Sequence, residues 1–152
     1  MCSTPLTGVE AITALVHAYA ELLDAGDLDG VAKLFERAVW RSPQHPYGLR
    51  DVDAIRRVYD GVRLYDGSPR TKHVISNLVI DVDEGAGSAL SRCSFTVVHG
   101  VDARSPQPIL SGRYHDAFAR DDAGWHFTER RTLVDLAGDL RGHFPSARPA
   151  DR

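Results

Sequence analysis

The stretch Arg70-Thr71-Lys72-His73-Val74-Ile75-Ser76-Asn77-Leu78-Val79-Ile80 marks a change of character in this chain. It is rich in β-branched residues and follows the breaker Gly67-Ser68-Pro69, so it opens a series of strands, the first placed at residues 72–82. Three more stretches of the same kind follow at 89–101, 109–120 and 124–135. The short segments between them, 83–87, 103–108 and 121–123, join the strands in sequence as an antiparallel meander.

Upstream the periodicity is helical. Ile12, Leu15, Val16, Tyr19, Leu22 and Leu23 fall on one face of a helix over residues 9–24, which stops at Asp24-Ala25-Gly26. Asp27 reads as the cap of a second, shorter helix that buries Leu28, Val31, Leu34 and Phe35. Residues 38–41 suggest a short strand and the Pro-containing 42–49 a loop. Asp51 then caps a third helix through about Leu64, with Val52, Ile55, Val58, Tyr59 and Val62 on its apolar stripe. Helices first and strands after is the α+β pattern, with the helices gathered on one face of the sheet. Long strands covered on one side must coil, and a coiled sheet around helices encloses a cone-shaped cavity. Past Leu136 periodicity is lost; Leu140 and Phe144 are expected to pack back on the sheet and Ser146 onward to fray. No repeat or linker interrupts the chain, so residues 1–152 are expected to form one domain with its core at about 9–135.

Composition bounds the partners. The 152 residues carry a net charge of −3 with scattered basic side chains, which points away from nucleic acid. Cys2 and Cys93 form neither a disulfide framework nor a zinc signature, and His17, His45, His115, His126 and His143 show no ligand spacing, so no metal is expected. The first residues lack a signal peptide's pattern and no apolar run is of membrane length, so a cytoplasmic protein with no membrane partner is expected.

Two residues stand out for chemistry. Asp24 lies in the last turn of the first helix, where the helix dipole disfavours a carboxylate; on position alone it reads first as a solvated Asp opening the turn. His73 begins the first long strand, and alternation puts it on one face with Ile75, Asn77 and Val79, opposite Val74, Ser76, Leu78 and Ile80. His99 shares parity with Cys93, Phe95 and Val97, and reads either as a pocket residue or as a strand-end histidine beside Gly100. Glu129, Arg130 and Arg131 alternate faces, so one of them points at the cavity or a partner unless the strand bulges. A solvated or interface ion-pair cluster is the other reading. Trp40, Tyr47 and Tyr59 read as core or cavity wall.

The run from Tyr19 to Phe35, the run Arg70-Thr71-Lys72-His73-Val74-Ile75-Ser76-Asn77, and Gly112-Arg113-Tyr114 with Gly124-Trp125-His126-Phe127-Thr128-Glu129-Arg130-Arg131 together resemble the SnoaL-like branch of the NTF2-like superfamily. The resemblance covers about residues 9–135 and implies the NTF2-like cone. Within that branch, enzymes of the scytalone dehydratase, hexachlorocyclohexane dehydrochlorinase and bile-acid dehydratase types use a His–Asp dyad. The resemblance carries it to His73 and Asp24, with Asn77 at the position of an Asn four residues on. It also implies a catalytic Tyr19, and Arg130 as an anion-stabilising residue with Arg131 as its competitor. His99, Trp40 and Tyr59 are then expected to line the substrate site with Asn77.

The activity so implied is that of a cofactor-independent lyase, a dehydratase acting on a small apolar oxygenated molecule, with an isomerase or cyclase using the same base as the neighbouring reading. The fold also hosts non-catalytic ligand-binding modules, aromatic-ring dioxygenase small subunits and epoxide hydrolases that need an Asp–Arg–Asp constellation. The outer face of such a sheet is expected to form a homodimer; Val74, Leu78, Ile80, Tyr114 and Phe118 suit it if they lie outside.

Overall fold

The computed structural model describes residues 6–101 and 105–146. Helix α1, Gly8–Ala25, opens with a capping box in which the Thr7 hydroxyl accepts from the Glu10 N–H at 3.3 Å and the Glu10 carboxylate accepts from the Thr7 N–H at 2.9 Å. It buries Ile12, Val16, Tyr19, Ala20 and Leu23. Gly26, at φ +79°, ends it, and the N–H groups of Gly26 and Asp27 return to the carbonyls of Leu23 and Leu22. A β carbon on Gly26 would stand 2.1 Å from the Gly67 carbonyl oxygen. The end of α1 therefore lies directly against the loop that leads into the first long strand.

Helices α2, Leu28–Leu34, and α3, Val52–Val58, begin as their sequences predict, with Asp27 accepting from the Gly30 N–H and Asp51 from the Ala54 N–H. Helix α3 is shorter than its apolar stripe predicts. A 3-10 turn, Tyr59–Gly61, closes it and Val62 is already extended. Gly61 is a poor helix residue, and the Val62 N–H is satisfied by the Tyr59 carbonyl instead.

Six strands form one sheet: β1 Val39–Ser42, β2 His45–Leu49, β3 Thr71–Asp83, β4 Ser88–His99, β5 Gln107–Asp121 and β6 Gly124–Ala137, in the order β2-β1-β6-β5-β4-β3. The meander β3 to β6 is antiparallel, but β1 runs parallel to β6, so the sheet is mixed. The segment 42–49, expected as a loop, is largely strand β2. Pro46 is tolerated there because β2 is the sheet edge, where a missing N–H breaks no ladder. Tyr47, expected in the core or cavity wall, is 94% exposed on that edge.

Strict alternation along β3 fails at Asn77. Its φ of +53° marks a bulge at which Asn77 and Leu78 together oppose Cys93, between the pairs Ser76–Ser94 and Val79–Arg92. Before the bulge Thr71, His73 and Ile75 face inward; after it Leu78, Ile80 and Val82 do, while Asn77 and Val79 are exposed. A second bulge at Thr128, between the pairs Ala117–Glu129 and Phe118–Phe127, puts Phe127 and Arg130 on the same inner face. Tyr114 and Phe118, considered for the outer face, belong to the buried core, and Leu78 and Ile80 pack against it. Val74 alone of that set is exposed.

Aromatic rings fill the space between α1 and the sheet. Phe95 stacks on Tyr114 with centroids 4.2 Å apart, and Phe127 meets both Phe35 and Phe118. Each such side chain contributes about 1.5–3 kcal/mol through burial. After β6 the chain turns back, and Leu140 and Phe144 pack against the core as expected. Ser146 is exposed; the rest of the tail expected to fray, part of the 103–108 turn, and Cys2 lie outside the described residues.

Candidate active site

The C-terminal turn of α1 and the start of β3 bring Asp24 and His73 into contact. Asp24 Oδ1 lies 2.6 Å from His73 Nδ1 and accepts the Thr71 hydroxyl at 2.9 Å, while Oδ2 accepts the His73 backbone N–H at 2.8 Å. A carboxylate holding three such donors is ionised and can only accept, so the ring proton sits on Nδ1 and Nε2 is left without one. Burial works to raise the Asp24 pKa, but the His73 ring and backbone N–H, the charge of an imidazolium and the Thr71 hydroxyl outweigh it and hold it below its usual value. The His73 side chain is 4% exposed and that of Asp24 14%.

Tyr19 lies five residues before Asp24 on the inner side of α1. Its ring meets His73 edge-on at 6.2 Å, and its hydroxyl is 3.5 Å from that of Tyr59. Trp40 packs edge-on against Tyr59, both buried, and the Trp40 indole N–H has no protein partner. Arg130, not Arg131, faces inward. It is fully buried, its Nε and Nη2 donate to Asp116 at 2.5 and 2.8 Å, and the rings of Tyr19, Tyr114, Phe35 and Phe127 surround it. Burial works against the guanidinium's charge, but the Asp116 carboxylate overrides it and holds Arg130 protonated. Its Nη1 has no protein partner.

Among the expected substrate contacts, Trp40, Tyr59 and His99 are inside and Asn77 is not. The bulge that Asn77 itself makes turns it to solvent, away from His73. Sequence patterning assigned no role to Thr71, Asp116 and His143. Thr71 was legible as the residue two before His73 on the same face. Asp116 was legible as a carboxylate on an inner face otherwise set by Tyr114 and Phe118. His143 had no signal beyond sitting between Leu140 and Phe144. It arrives beside His99, ring centroids 6.0 Å apart, only because the tail folds back.

Two surface grooves stand apart from this site. One, about 580 Å³, lies on the outer face of the sheet between Val79, Leu90, Arg92, His115 and Arg131. The other, about 410 Å³, lies between α1, α2 and the start of β6. No helix among the described residues is long and apolar enough to cross a membrane.

The model of the SnoaL-like domain family matches residues 4–131, most of the chain. The chain belongs to that family. The SnoaL-like chain is also similar in fold to solved NTF2-like structures. These include Rv3472 of Mycobacterium tuberculosis, of unknown function (24% identity, 84% of this chain and 71% of that one, TM-score 0.68). A candidate scytalone dehydratase of Novosphingobium aromaticivorans matches at 23% identity over 93% and 94% of the two chains, TM-score 0.66. ActVI-ORFA of Streptomyces coelicolor matches at 24% identity over 85% and 98%, TM-score 0.65. At these identities the likeness is one of fold. No curated protein matches the SnoaL-like chain in sequence.

Proposed function

We propose that this SnoaL-like protein is a cofactor-independent lyase that removes a proton from a carbon next to a carbonyl and expels an oxygen leaving group, as a dehydratase does. The observation that supports this most is the Asp24–His73 pair at 2.6 Å, buried at the junction of α1 and β3. His73 Nε2 takes the proton, and Asp24 holds the tautomer and stabilises the imidazolium that forms. The unpartnered Nη1 of Arg130 and the indole N–H of Trp40 are donors for the oxygen on which negative charge develops. Tyr19, whose ring lies between His73 and Arg130, hydrogen-bonds the departing oxygen in this reading. The aromatic walls favour a small, mostly apolar substrate. In this reading two copies of the chain meet through the outer face of the sheet, where Val74, Val79 and Leu90 are exposed; a monomer by light scattering at high concentration would argue against it.

The test uses a panel of aryl β-hydroxy ketones, with enone absorbance reporting elimination and deuterium uptake in D2O reporting proton removal alone. His73→Gln and Asp24→Asn should each lose about 10²–10⁴-fold in both signals. Equal rates in wild type and His73→Gln would overturn the dyad mechanism. Exchange without enone would replace the lyase with an isomerase on the same base.

A further inference from the structure

The family match ends at residue 131, and residues 138–144, beyond it, fold back against the core and His99. The docking of this tail is specific. The Gly138 N–H donates to the Ile109 carbonyl at 2.9 Å, the Arg63 N–H to the His143 carbonyl at 2.8 Å, and the Tyr65 hydroxyl to the Gly142 carbonyl at 2.6 Å. Gly142 is needed at this approach, since a β carbon there would lie 2.8 Å from His99 Cε1. The tail thereby delivers His143 against His99.

Both imidazoles are buried, His99 at 9% and His143 at 4% exposure, and each has one ring nitrogen without a protein partner, Nε2 of His99 and Nδ1 of His143. Buried polar atoms without partners are rare in folded proteins and point to something that binds them. Their location is informative. His99 pairs across the strands with Thr71, whose hydroxyl binds Asp24, so the two rings border the dyad. We propose that His99 and His143 form a second subsite at the mouth of the cone, which binds a neutral hydroxyl or carbonyl oxygen of the substrate. This rests on the reading above that the dyad's site takes a small oxygenated molecule.

The charge state of the pair selects that ligand. Burial pushes the His143 pKa down to about 4, helped by the charges that His73 and His99 would carry and opposed by Asp24. Burial likewise lowers His99, with the Pro69 carbonyl opposing. At neutral pH both rings are uncharged, and a neutral imidazole offers one donor and one acceptor according to tautomer. A hydroxyl, itself donor and acceptor, matches such a pair. A carboxylate would be repelled by the charge of Asp24, which is felt at His143. A metal fits poorly, because no group of three or more His, Cys, Asp or Glu among the described residues has ligand geometry.

The probes are 2-naphthol and 2-methylnaphthalene, equal in size but with and without the hydroxyl. In the full-length wild type, 15N shifts of the His99 and His143 rings should move with 2-naphthol and not with 2-methylnaphthalene. In His143→Phe and His99→Phe the ratio of the two dissociation constants should move about tenfold against naphthol, while 2-methylnaphthalene binding stays the same. His143→Gln, which keeps a donor and an acceptor, should restore the ratio. His73→Gln should leave the ratio intact even as it abolishes deuterium exchange, which separates this proposal from the dyad mechanism. Unmoved ring shifts in the wild type, or an unchanged ratio in both Phe variants, would overturn it; the shift measurement stands even if a variant fails to fold.

Discussion

Two inward-facing carboxylates, Asp24 and Asp116, each hold a basic side chain, and they do so in different settings. Asp24 joins a helix terminus to a strand start, its side chain 14% exposed, and its partner is the His73 imidazole. Asp116 joins two neighbouring strands, is wholly buried, and its partner Arg130 cannot deprotonate. The pKa directions differ accordingly. Burial lifts the Asp116 carboxyl even against Arg130's charge, whereas the hydrogen bonds on Asp24 win over its partial burial. The first pair ties the end of α1 to the start of β3; the second fixes a charge in the core and ties β5 to β6.

The strongest way to break this comparison is at Asp116. Asp116→Ala strands a buried guanidinium and should destabilise the fold by about 3–5 kcal/mol in urea unfolding, whereas Asp24→Asn, damaging to turnover, should change stability far less. A small loss at Asp116 would erase the distinction. Next comes pH. Between about pH 6.5 and 4 the unfolded chain protonates His143 while the folded chain does not, so stability should fall by roughly 3 kcal/mol as pH drops through that window. His143→Phe should flatten this part of the curve, and thermal denaturation at several pH values checks it. Asp24 acts lower: with its pKa lowered, its contribution is present above the ordinary carboxylate range and is lost as pH falls through the lowered value. Asp24→Asn should therefore remove a small, constant contribution at neutral pH and flatten the curve only on the acid limb. The smallest effect is expected at Asn77. Asn77→Ala should cost about 1 kcal/mol through its positive φ and leave deuterium exchange unchanged, because the residue faces outward. A large loss of exchange would return Asn77 to the site.

On position alone Asp24 reads as a turn-opening residue and His73 as a strand histidine, and it is the resemblance to the SnoaL-like branch that pairs them. Both sit at element boundaries, Asp24 at the last turn before Gly26 and His73 just after Gly67-Ser68-Pro69. Boundaries are what glycine, proline and capping residues mark. Facing was less legible. Period-2 alternation put Asn77 beside His73, and one bulge undid it; the same alternation left Arg130 and Arg131 undecided until the bulge at Thr128 chose. Pro46 disguised an edge strand as a loop for a similar reason, since its meaning depends on which strand lies outermost.

Patterning along the chain sufficed for the order of the three helices and four long strands, the caps at Asp27 and Asp51 and the stop at Gly26, because these depend on residues within a turn or two of one another. Only the tertiary structure decided that Asp24 touches His73, that Asp116 neutralises Arg130, and that His143 reaches His99 from beyond the family domain. Those contacts join residues 14 to 49 positions apart, across bulges that reset which way a side chain points. Local propensity carries no memory over such distances; burial and hydrogen bonding in the assembled core do.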